Sequence, residues 1–180
     1  KIFLPKQGWE EKLGYILGCL AGDGNISKRA VLSNNDTEIQ QAYSLYLNHI
    51  FGMNSKVKQG HTCRIVVDNG GLTFARFLID IIGFPKNNKS ATISVPEIVK
   101  KNKYIFRGFF SGLFDTDGYA SHINNSIEIT SKSKKLIEEC SILLLNFGVH
   151  SVIFNKGGFH TLRIANKIYI SLFLHFFNSR

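Results

Sequence analysis

The chain has 180 residues, 44% of them hydrophobic, so it can form one large domain or two small ones around a real core. Its 22 lysine and arginine residues exceed its 13 acidic residues and give a net charge of +9. A domain this basic often binds a polyanion, either nucleic acid or an anionic membrane surface, and the alternative is a solvated basic surface without a partner. The cysteines and histidines lack metal-ligand spacing, and the longest apolar runs, about ten residues each, are too short to cross a bilayer. We therefore expect an intracellular protein, in the cytoplasm or an organelle matrix, that is not secreted and has no membrane partner.

The first half begins with a glycine-spaced apolar segment, residues 13–25, which reads LGYILGCLAGDGN and predicts a helix ending near Asp23. Apolar residues at helical spacing predict a second helix over 39–50, with Asn35 and Glu38 as a capping box. Strands on both sides of this helix, and a closing helix after them, complete the half. We place the strands near residues 26–33, 53–58 and 62–68, and the closing helix over 74–82.

A lysine-rich segment with two prolines, residues 84–103, predicts a linker, after which the order of elements repeats. Residues 106–119 (FRGFFSGLFDTDGY) match the first glycine-spaced segment. Three more matches follow in the same order: Val31-Leu32-Ser33 with Ile129-Thr130-Ser131, Phe51-Gly52 with Phe147-Gly148, and HTCRI at 61–65 with HTLRI at 160–164. The repeat predicts two halves, residues 1–83 and 104–180, each with the order αββαββα.

Both glycine-spaced segments place glycines four residues apart, on one face of a helix. These are Gly14, Gly18 and Gly22 in the first segment and Gly108 and Gly112 in the second. Because glycine inside a helix costs about 1 kcal/mol relative to alanine, this face predicts close approach of another backbone, and the other glycine helix is the obvious partner. Side-by-side packing would bring Asp23 and Asp117 together at the C-terminal ends, where two acids oppose stability unless a cation binds. The alternative is that each Asp-Gly is only a helix-ending turn.

Residues 16–24 (ILGCLAGDG) and 110–118 (FSGLFDTDG) resemble the motif of the LAGLIDADG homing endonucleases. The order of the repeated elements also resembles that family, so the resemblance covers nearly the whole chain. It implies an α+β protein of two pseudo-twofold-related αββαββα halves, packed through their glycine-rich helices, with antiparallel sheets that form a DNA-binding saddle. It further implies Mg²⁺ bound by Asp23 and Asp117 with the carbonyl oxygens of Gly22 and Thr116, with Mn²⁺ or Ca²⁺ able to replace it in binding.

The same resemblance suggests which residues surround the acids. Lys89 and Lys132 resemble family lysines near the cleaved phosphate and are the remaining candidate catalytic residues. The second half has no equivalent of Lys89, and Lys132 stands where the first half has Asn34. Asp115 matches an earlier acid of the motif that Ala21 replaces in the first copy, so we interpret Asp115 as non-catalytic.

Polar residues on the predicted strands are candidates for DNA contact, because a two-stranded ribbon fits the major groove. Arg64 and Arg163 recur at matching positions and are the better candidates for reading bases. An ordinary solvent face of an antiparallel sheet is the alternative for any single residue. The candidates are Ser27, Arg29, Ser33, Lys56, Lys58, His61 and Arg64 in the first half, and His122, Asn124, Ser131, Asn155, Lys156, His160 and Arg163 in the second.

The resemblance implies a site-specific homing endonuclease, intron-encoded or carried by an intein, that acts as a monomer on double-stranded DNA; the sequence leaves the choice between intron and intein open. Mg²⁺-dependent phosphodiester hydrolysis would break both strands of a long asymmetric target and leave 5′-phosphate and 3′-hydroxyl ends. Two alternatives stay open. The chain could be a LAGLIDADG-type RNA maturase or non-cleaving DNA-binding protein, or an unrelated basic α+β protein whose glycine helices only pack.

Overall fold

The computed structural model describes residues 8–121 and 124–177. The expected α+β class and the repeated αββαββα order are confirmed. The first half contains α1 (Trp9–Gly22), β1 (Gly24–Ile26), β2 (Ala30–Ser33), α2 (Thr37–Phe51), β3 (Ser55–Lys58), β4 (Arg64–Val67) and α3 (Gly71–Arg76), which continues as a π-helical turn, Phe77–Ile81.

Two short helices, α4 (Lys89–Thr92) and α5 (Glu97–Lys100), lie in the segment expected to be a linker. The second half contains α6 (Lys103–Asp117), β5 (Gly118–Ser121), β6 (Ser126–Ser131), α7 (Lys134–Leu144), β7 (Val152–Lys156), β8 (Phe159–Ile164) and α8 (Lys167–Phe177). Its four strands form an antiparallel sheet in the order β5-β6-β8-β7, and those of the first half form one in the equivalent order β1-β2-β4-β3.

The ends of α2 and α7 show how local chemistry fixes the repeat. Asp36 caps α2 by accepting hydrogen bonds from the backbone N–H groups of Glu38 and Ile39, so the expected cap at Asn35 is wrong by one residue. Ser133 caps α7 in the same way through the N–H of Leu136.

Helix α2 ends at Gly52, and α7 continues as a 3-10 turn, Leu145–Phe147, that ends at Gly148. Gly52 has a φ of 63° and Gly148 has a φ of 69°. This left-handed conformation carries little cost for glycine, so the Phe-Gly match between the two halves marks the same helix-ending turn twice.

Strand pairing shows which positions of the two sheets are equivalent. In each sheet, one row of residues on the face turned towards the core crosses all four strands. The row contains Gly24, Leu32, Ile65 and Val57 in the first sheet, and Gly118, Ile129, Leu162 and Ile153 in the second.

Two of the matches read from the sequence are therefore out of register. Leu32 corresponds to Ile129 rather than Thr130, and Ile65 corresponds to Leu162 rather than Ile164. The HTCRI and HTLRI segments repeat in composition but not in position, because side chains in a strand alternate with period two and several alignments give equally good apolar patterns. As a result, Arg64 and Arg163 are not counterparts.

The paired helices α1 and α6 lie at the centre of the core. Leu17, Leu20, Phe109 and Phe110 on these helices are fully buried. Within the described part of the chain, no helix has the length and apolarity needed to cross a membrane.

Candidate active site

The glycine face of α1 packs directly against the backbone of α6. A Cβ atom on Gly14 would collide with the carbonyl oxygen of Ile105, and one on Gly18 would collide with that of Phe109. The two contacts advance together along both chains, so the helices run parallel. Only glycine allows this approach, since every other residue would place a side chain in the space that the neighbouring backbone occupies.

The glycine face of α6 makes the reciprocal contacts. A Cβ on Gly108 would collide with the carbonyl oxygen of Glu11, and one on Gly112 would collide with that of Tyr15. The two faces interlock as a twofold-related pair, which is the arrangement that the spacing of the glycines predicted.

Parallel packing brings the C-terminal ends of α1 and α6 together. Asp23 directly follows α1, with its N–H donating to the carbonyl oxygen of Cys19 at 3.0 Å, and Asp117 is the last residue of α6. At Gly22 an added Cβ would collide with the Thr116 side chain and lie 3.2 Å from Cγ of Asp117. The two candidate metal ligands therefore flank one junction between the halves.

Electrostatics at this junction penalise the ionised carboxylates. Burial raises the pKa of Asp117 to about 6, and the nearby charge of Asp23 adds to the shift. Burial also raises the pKa of Asp23, although a hydrogen bond from Asn34 and the charge of Lys89 oppose that rise. A bound cation would offset both the mutual repulsion of the two carboxylates and the cost of burying their charges.

Lys89, the first residue of α4, places its positively charged ammonium group at this junction. Its ammonium group donates to the carbonyl oxygens of Leu20 at 2.9 Å, of Ala21 at 2.7 Å and of Gly22 at 2.7 Å. These are the last carbonyls of α1, at the negative end of its dipole. Burial lowers the pKa of Lys89 to about 8, while the charges of Asp117 and Asp23 oppose the decrease.

Asn34 is a site residue that the sequence did not single out. Its Nδ2 donates to Oδ2 of Asp23 at 2.7 Å, its Oδ1 accepts from the N–H of Asp36, and its carbonyl oxygen accepts from the Gln40 amide. The bond from Asp36 orients the Asn34 side-chain amide towards the acid, and the bond from Gln40 fixes the Asn34 backbone. The available signal was its position, just before the helix cap, at the end of the strand beside Asp23.

The second half has a serine at the position of Asn34. Ser131 accepts from the N–H of Ser133 at 3.1 Å, which repeats the bond between Asn34 and Asp36. Among the described residues, no hydrogen bond joins Ser131 to Asp117. Lys132, whose counterpart is therefore Asn35, lies with its ammonium 5.5 Å from the centroid of the Phe159 ring.

Asp115 and Thr116 have partners inside the protein. The Tyr15 hydroxyl donates to Oδ2 of Asp115 at 2.7 Å, and burial raises the pKa of this carboxyl to about 6. The Thr116 hydroxyl donates to the carbonyl oxygens of Gly112 and Leu113.

Among the described residues, no group of three or more histidine, cysteine, aspartate or glutamate side chains could hold a metal ion.

The first sheet turns a basic surface away from the core. The strand register places four of the candidates on this face, which we call the open face: Lys56, Lys58, Arg64 and Ser33. Lys56 lies 3.3 Å from Asp68, whereas within the described residues no ion pair holds Lys58 or Arg64.

The remaining first-half candidates lie in the connections between strands. Ser27 and Arg29 form the exposed turn between β1 and β2, with the N–H of Ser27 donating to the carbonyl of Arg29. His61 is exposed in the connection between β3 and β4.

The second sheet divides its candidates between two faces. Arg163 lies on the open face, whereas Ser131, His160 and Asn155 form one row at the end of the opposite face. Nδ1 of His160 and Oδ1 of Asn155 are 2.6 Å apart. In the turn between β5 and β6, the N–H of Asn124 donates to the Ser121 hydroxyl. His122 and the side chain of Lys156 lie outside the described part of the structure.

Comparison with known proteins supports the fold and the motif. Residues 106–177 match a family model described as a LAGLIDADG-like domain. The homing endonuclease I-DmoI, in a complex with DNA and Mn, aligns with 96% of this chain and 98% of its own at 21% identity and a TM-score of 0.64. The N-terminal LAGLIDADG domain of DUF199/WhiA aligns with 98% of this chain and 87% of its own at 16% identity and a TM-score of 0.68.

Curated relatives are much longer proteins. The chain is 33% identical to part of the probable translation initiation factor IF-2 of Thermococcus kodakarensis, covering 94% of this chain and 15% of the relative. It is 28% identical to part of the glutamine–fructose-6-phosphate aminotransferase of Methanocaldococcus jannaschii, covering 90% of this chain and 16% of the relative. This chain therefore spans about one sixth of the curated relatives that it matches. The resemblance to the LAGLIDADG family is confirmed: this chain has the LAGLIDADG fold, with two copies of the motif in one polypeptide.

Proposed function

We propose that the chain is a site-specific DNA endonuclease that makes a double-strand break by divalent-metal-dependent hydrolysis of one phosphodiester in each strand. The ends would carry 5′-phosphate and 3′-hydroxyl groups, and a single chain would act on a long asymmetric target as a monomer. The observation that carries the proposal is the junction of α1 and α6, where Asp23 and Asp117 are brought together.

The residues at the junction fit a divalent cation such as Mg²⁺. The two carboxylates repel each other, so a cation between them would remove a destabilising interaction, and hard oxygen ligands are those that Mg²⁺ prefers. Asp23 and Asp117 would hold the metal, with the carbonyl oxygens of Gly22 and Thr116 beside them. When bound, such an ion supplies an activated water and stabilises the departing oxygen.

The protein's own groups would position and balance these acids. Asn34 holds the Asp23 carboxylate in a fixed orientation. Lys89 places a positive charge beside the acids and neutralises the carbonyl end of α1, and the same charge would attract the scissile phosphate. Lys132 lies farther along the second half, with its ammonium over the Phe159 ring. A contact of this kind at an exposed site contributes only about 0.5–1 kcal/mol, so Lys132 could turn towards bound DNA.

The open faces of the sheets would contact the DNA. The net charge of +9 favours a polyanion, and so do Lys58 and Arg64, which have no ion pair within the described residues. A DNA duplex is favoured over an RNA helix because an antiparallel ribbon fits the major groove of B-form DNA, whereas the major groove of an RNA helix is too narrow to be read.

The relatives also suggest how such a domain is encoded. Similar segments occupy a small part of functionally unrelated proteins, an initiation factor and an aminotransferase. A segment that recurs in unrelated hosts is better explained as an in-frame insertion than as the product of an intron reading frame. We therefore propose that the domain is encoded in frame within a host gene, as an intein is, which resolves the choice between intron and intein that the sequence left open.

A cleavage assay on uninterrupted host genes tests the proposed function. Incubation with Mg²⁺ should give one double-strand break per target, and EDTA should abolish it. A non-cleaving DNA-binding role is the second candidate, because the WhiA domain has the same fold. Specific binding without cleavage in Mg²⁺ or Mn²⁺ would establish that second function instead.

A further inference from the structure

The open faces of the two sheets differ in chemistry at equivalent positions. We align the two sheets by their core-facing rows. In this alignment Val31 is equivalent to Glu128, Val66 to Arg163 and Lys56 to Val152. On the next row, Lys58 corresponds to Phe154 and Arg64 to Thr161. Basic strand residues of the first sheet are therefore replaced by apolar or neutral ones in the second, while an Arg–Glu pair replaces two valines.

That Arg–Glu pair is fixed on two sides. Nε of Arg163 donates to Oε1 of Glu128 at 2.6 Å, and the guanidinium carbon lies 4.5 Å from the centroid of the Phe154 ring. The Ser126 hydroxyl donates to the same carboxylate oxygen at 3.1 Å. The Glu128 side chain is only 17% exposed, whereas that of Arg163 is 38% exposed. The carboxylate therefore lies beneath the guanidinium, and the guanidinium is the member of the pair that a ligand can reach.

This arrangement leaves the donors suited to base recognition free. A guanidinium has five N–H donors, and the bond to Glu128 uses the one on Nε, so the four donors of the two terminal nitrogens remain. A planar fork of this kind matches the O6 and N7 acceptors of guanine in the major groove. Contact with the Phe154 ring restricts the guanidinium before DNA binds.

Pairing with a carboxylate also makes Arg163 a poor phosphate ligand. The pair is neutral, and the Glu128 charge repels a phosphate that approaches the guanidinium. By contrast, Lys58 and Arg64 have no ion pair within the described residues and are free to neutralise phosphates. The two sheets would therefore hold the same DNA by different means.

We propose, on the basis of the proposed DNA-binding function, that Glu128 is a positioning residue that holds Arg163 for reading a guanine and keeps it from the phosphate backbone. The second sheet contributes specificity at this base pair, and the first sheet contributes the salt-dependent attraction. Glu128 thus determines specificity without itself contacting a base.

The experiment selects bound duplexes from a pool of double-stranded oligonucleotides with a randomised centre of about three helical turns. Sequencing the bound fraction gives the preferred motif, and titration of the unselected pool at several salt concentrations gives the slope of log affinity against log salt. The variants are Glu128→Gln, Arg163→Lys and Arg163→Met. The control is Glu138→Gln, which makes the same charge change on α7, where Glu138 pairs with Lys134 at 3.3 Å.

The wild-type motif should contain a preferred guanine that Arg163→Lys and Arg163→Met both lose, by about 5- to 150-fold at that base pair. Arg163→Lys should leave the salt slope unchanged. Glu128→Gln should weaken the same guanine preference and steepen the salt slope by about 0.9, because the released arginine gains a phosphate. Glu138→Gln should do neither.

Retention of the guanine preference by Arg163→Met would overturn the inference, because methionine has no N–H donor for guanine, and so would retention by folded Glu128→Gln. A shallower salt slope in Arg163→Met would overturn it too, since it would show that Arg163 already contacts a phosphate. If Glu128→Gln does not fold, Glu128→Val replaces it, because valine is a good strand former and is the residue of the first sheet at the equivalent position, Val31. Retention of the guanine preference by that variant would overturn the inference. A wild-type protein that selects no motif would instead overturn the proposed site-specific function.

Discussion

Nδ2 of Asn34 lies 2.7 Å from Oδ2 of Asp23, and the equivalent residue in the second half, Ser131, makes no such bond to Asp117 among the described residues. The two acids therefore have different supports within a repeated fold. Asp23 is oriented by an amide that a further hydrogen bond holds in place, whereas Asp117 is the more strongly perturbed acid.

This asymmetry predicts unequal dependence on the supporting residues. Asn34→Ala should reduce cleavage by roughly 10- to 100-fold, the usual loss when a partner that orients a metal ligand is removed. Ser131→Ala is the matched control and should remain within a few-fold of wild type. The measurement is single-turnover cleavage with each DNA strand labelled separately. Equal losses in the two variants would contradict the asymmetric site.

Removal of either acid should abolish cleavage and preserve DNA binding. Asp23→Asn and Asp117→Asn each remove a carboxylate from the junction of the helices, where it is placed to bind metal. Asp115→Asn is the control and should retain cleavage, because this partly buried carboxyl lies in the same motif but accepts a hydrogen bond from the Tyr15 hydroxyl, and an asparagine oxygen can accept the same bond. Cleavage at near wild-type rate by either junction variant would show that the metal assignment is wrong.

Substitution of glycines in the helix interface should lower the free energy of unfolding, whereas substitution of a glycine elsewhere should not. Gly18→Ala and Gly108→Ala should each cost about 3 kcal/mol of unfolding free energy, because the added Cβ collides with a backbone carbonyl of the other helix that cannot move aside. The two positions should be equally intolerant, because the added Cβ would come equally close to a backbone carbonyl oxygen, that of Glu11 at Gly108 and that of Phe109 at Gly18. Gly60→Ala should be nearly neutral, since its Cβ would lie 3.4 Å from the nearest atom. Denaturant midpoints measure all three, and unchanged midpoints at Gly18 would exclude the observed packing.

The raised pKa of Asp117 predicts a pH dependence of stability. Its value of about 6 lies above the value of about 3.9 for an exposed aspartate, so the folded state binds this proton more tightly than the unfolded state does. Without metal, the contribution of Asp117 should therefore lower the unfolding free energy as the pH rises from about 4 through 6. After allowance for solvent screening, the loss should be about 1–2 kcal/mol.

Thermal melts in EDTA at pH values of about 5 and about 7.5, on either side of the pKa of Asp117, measure this effect as the difference between wild type and Asp117→Asn. The variant should be the more stable protein at the higher pH, with a smaller advantage at the lower one. Mg²⁺ at the higher pH should stabilise the wild type and leave the variant unchanged. An identical pH dependence in both proteins would show that this carboxyl does not titrate in the stated range.

Arg64 should contribute affinity rather than sequence preference. It lies on the open face of the first sheet beside Lys58, and no carboxylate holds it in place within the described residues. Arg64→Gln should weaken binding to all duplexes alike and reduce the salt slope by about 0.9. Binding titrations with unrelated duplexes at several salt concentrations test this, and a change confined to one base pair would assign Arg64 to base recognition.

Much of the fold could be predicted because the repeat carries strong local signals. Glycines at four-residue spacing indicate one helix face, and two such faces ending in Asp-Gly predicted the parallel pair of α1 and α6. The register of the strands could not be predicted in the same way. Ile164 was as good a match for Ile65 as Leu162 is, since both alignments bury alternate apolar residues, and only pairing across the sheet selected one.

The sequence by itself therefore determined the repeat, the α+β class, the glycine interface and the candidate acids, because each depends on residues close together along the chain. Tertiary structure alone decided which side chains reach those acids. Lys89 and Asn34 come from separate segments and meet at the end of α1, while Lys132 lies on an aromatic ring. It also decided that Arg163 pairs with Glu128 while Arg64 has no such partner within the described residues, because cross-strand neighbours depend on a register that spacing along the chain does not specify.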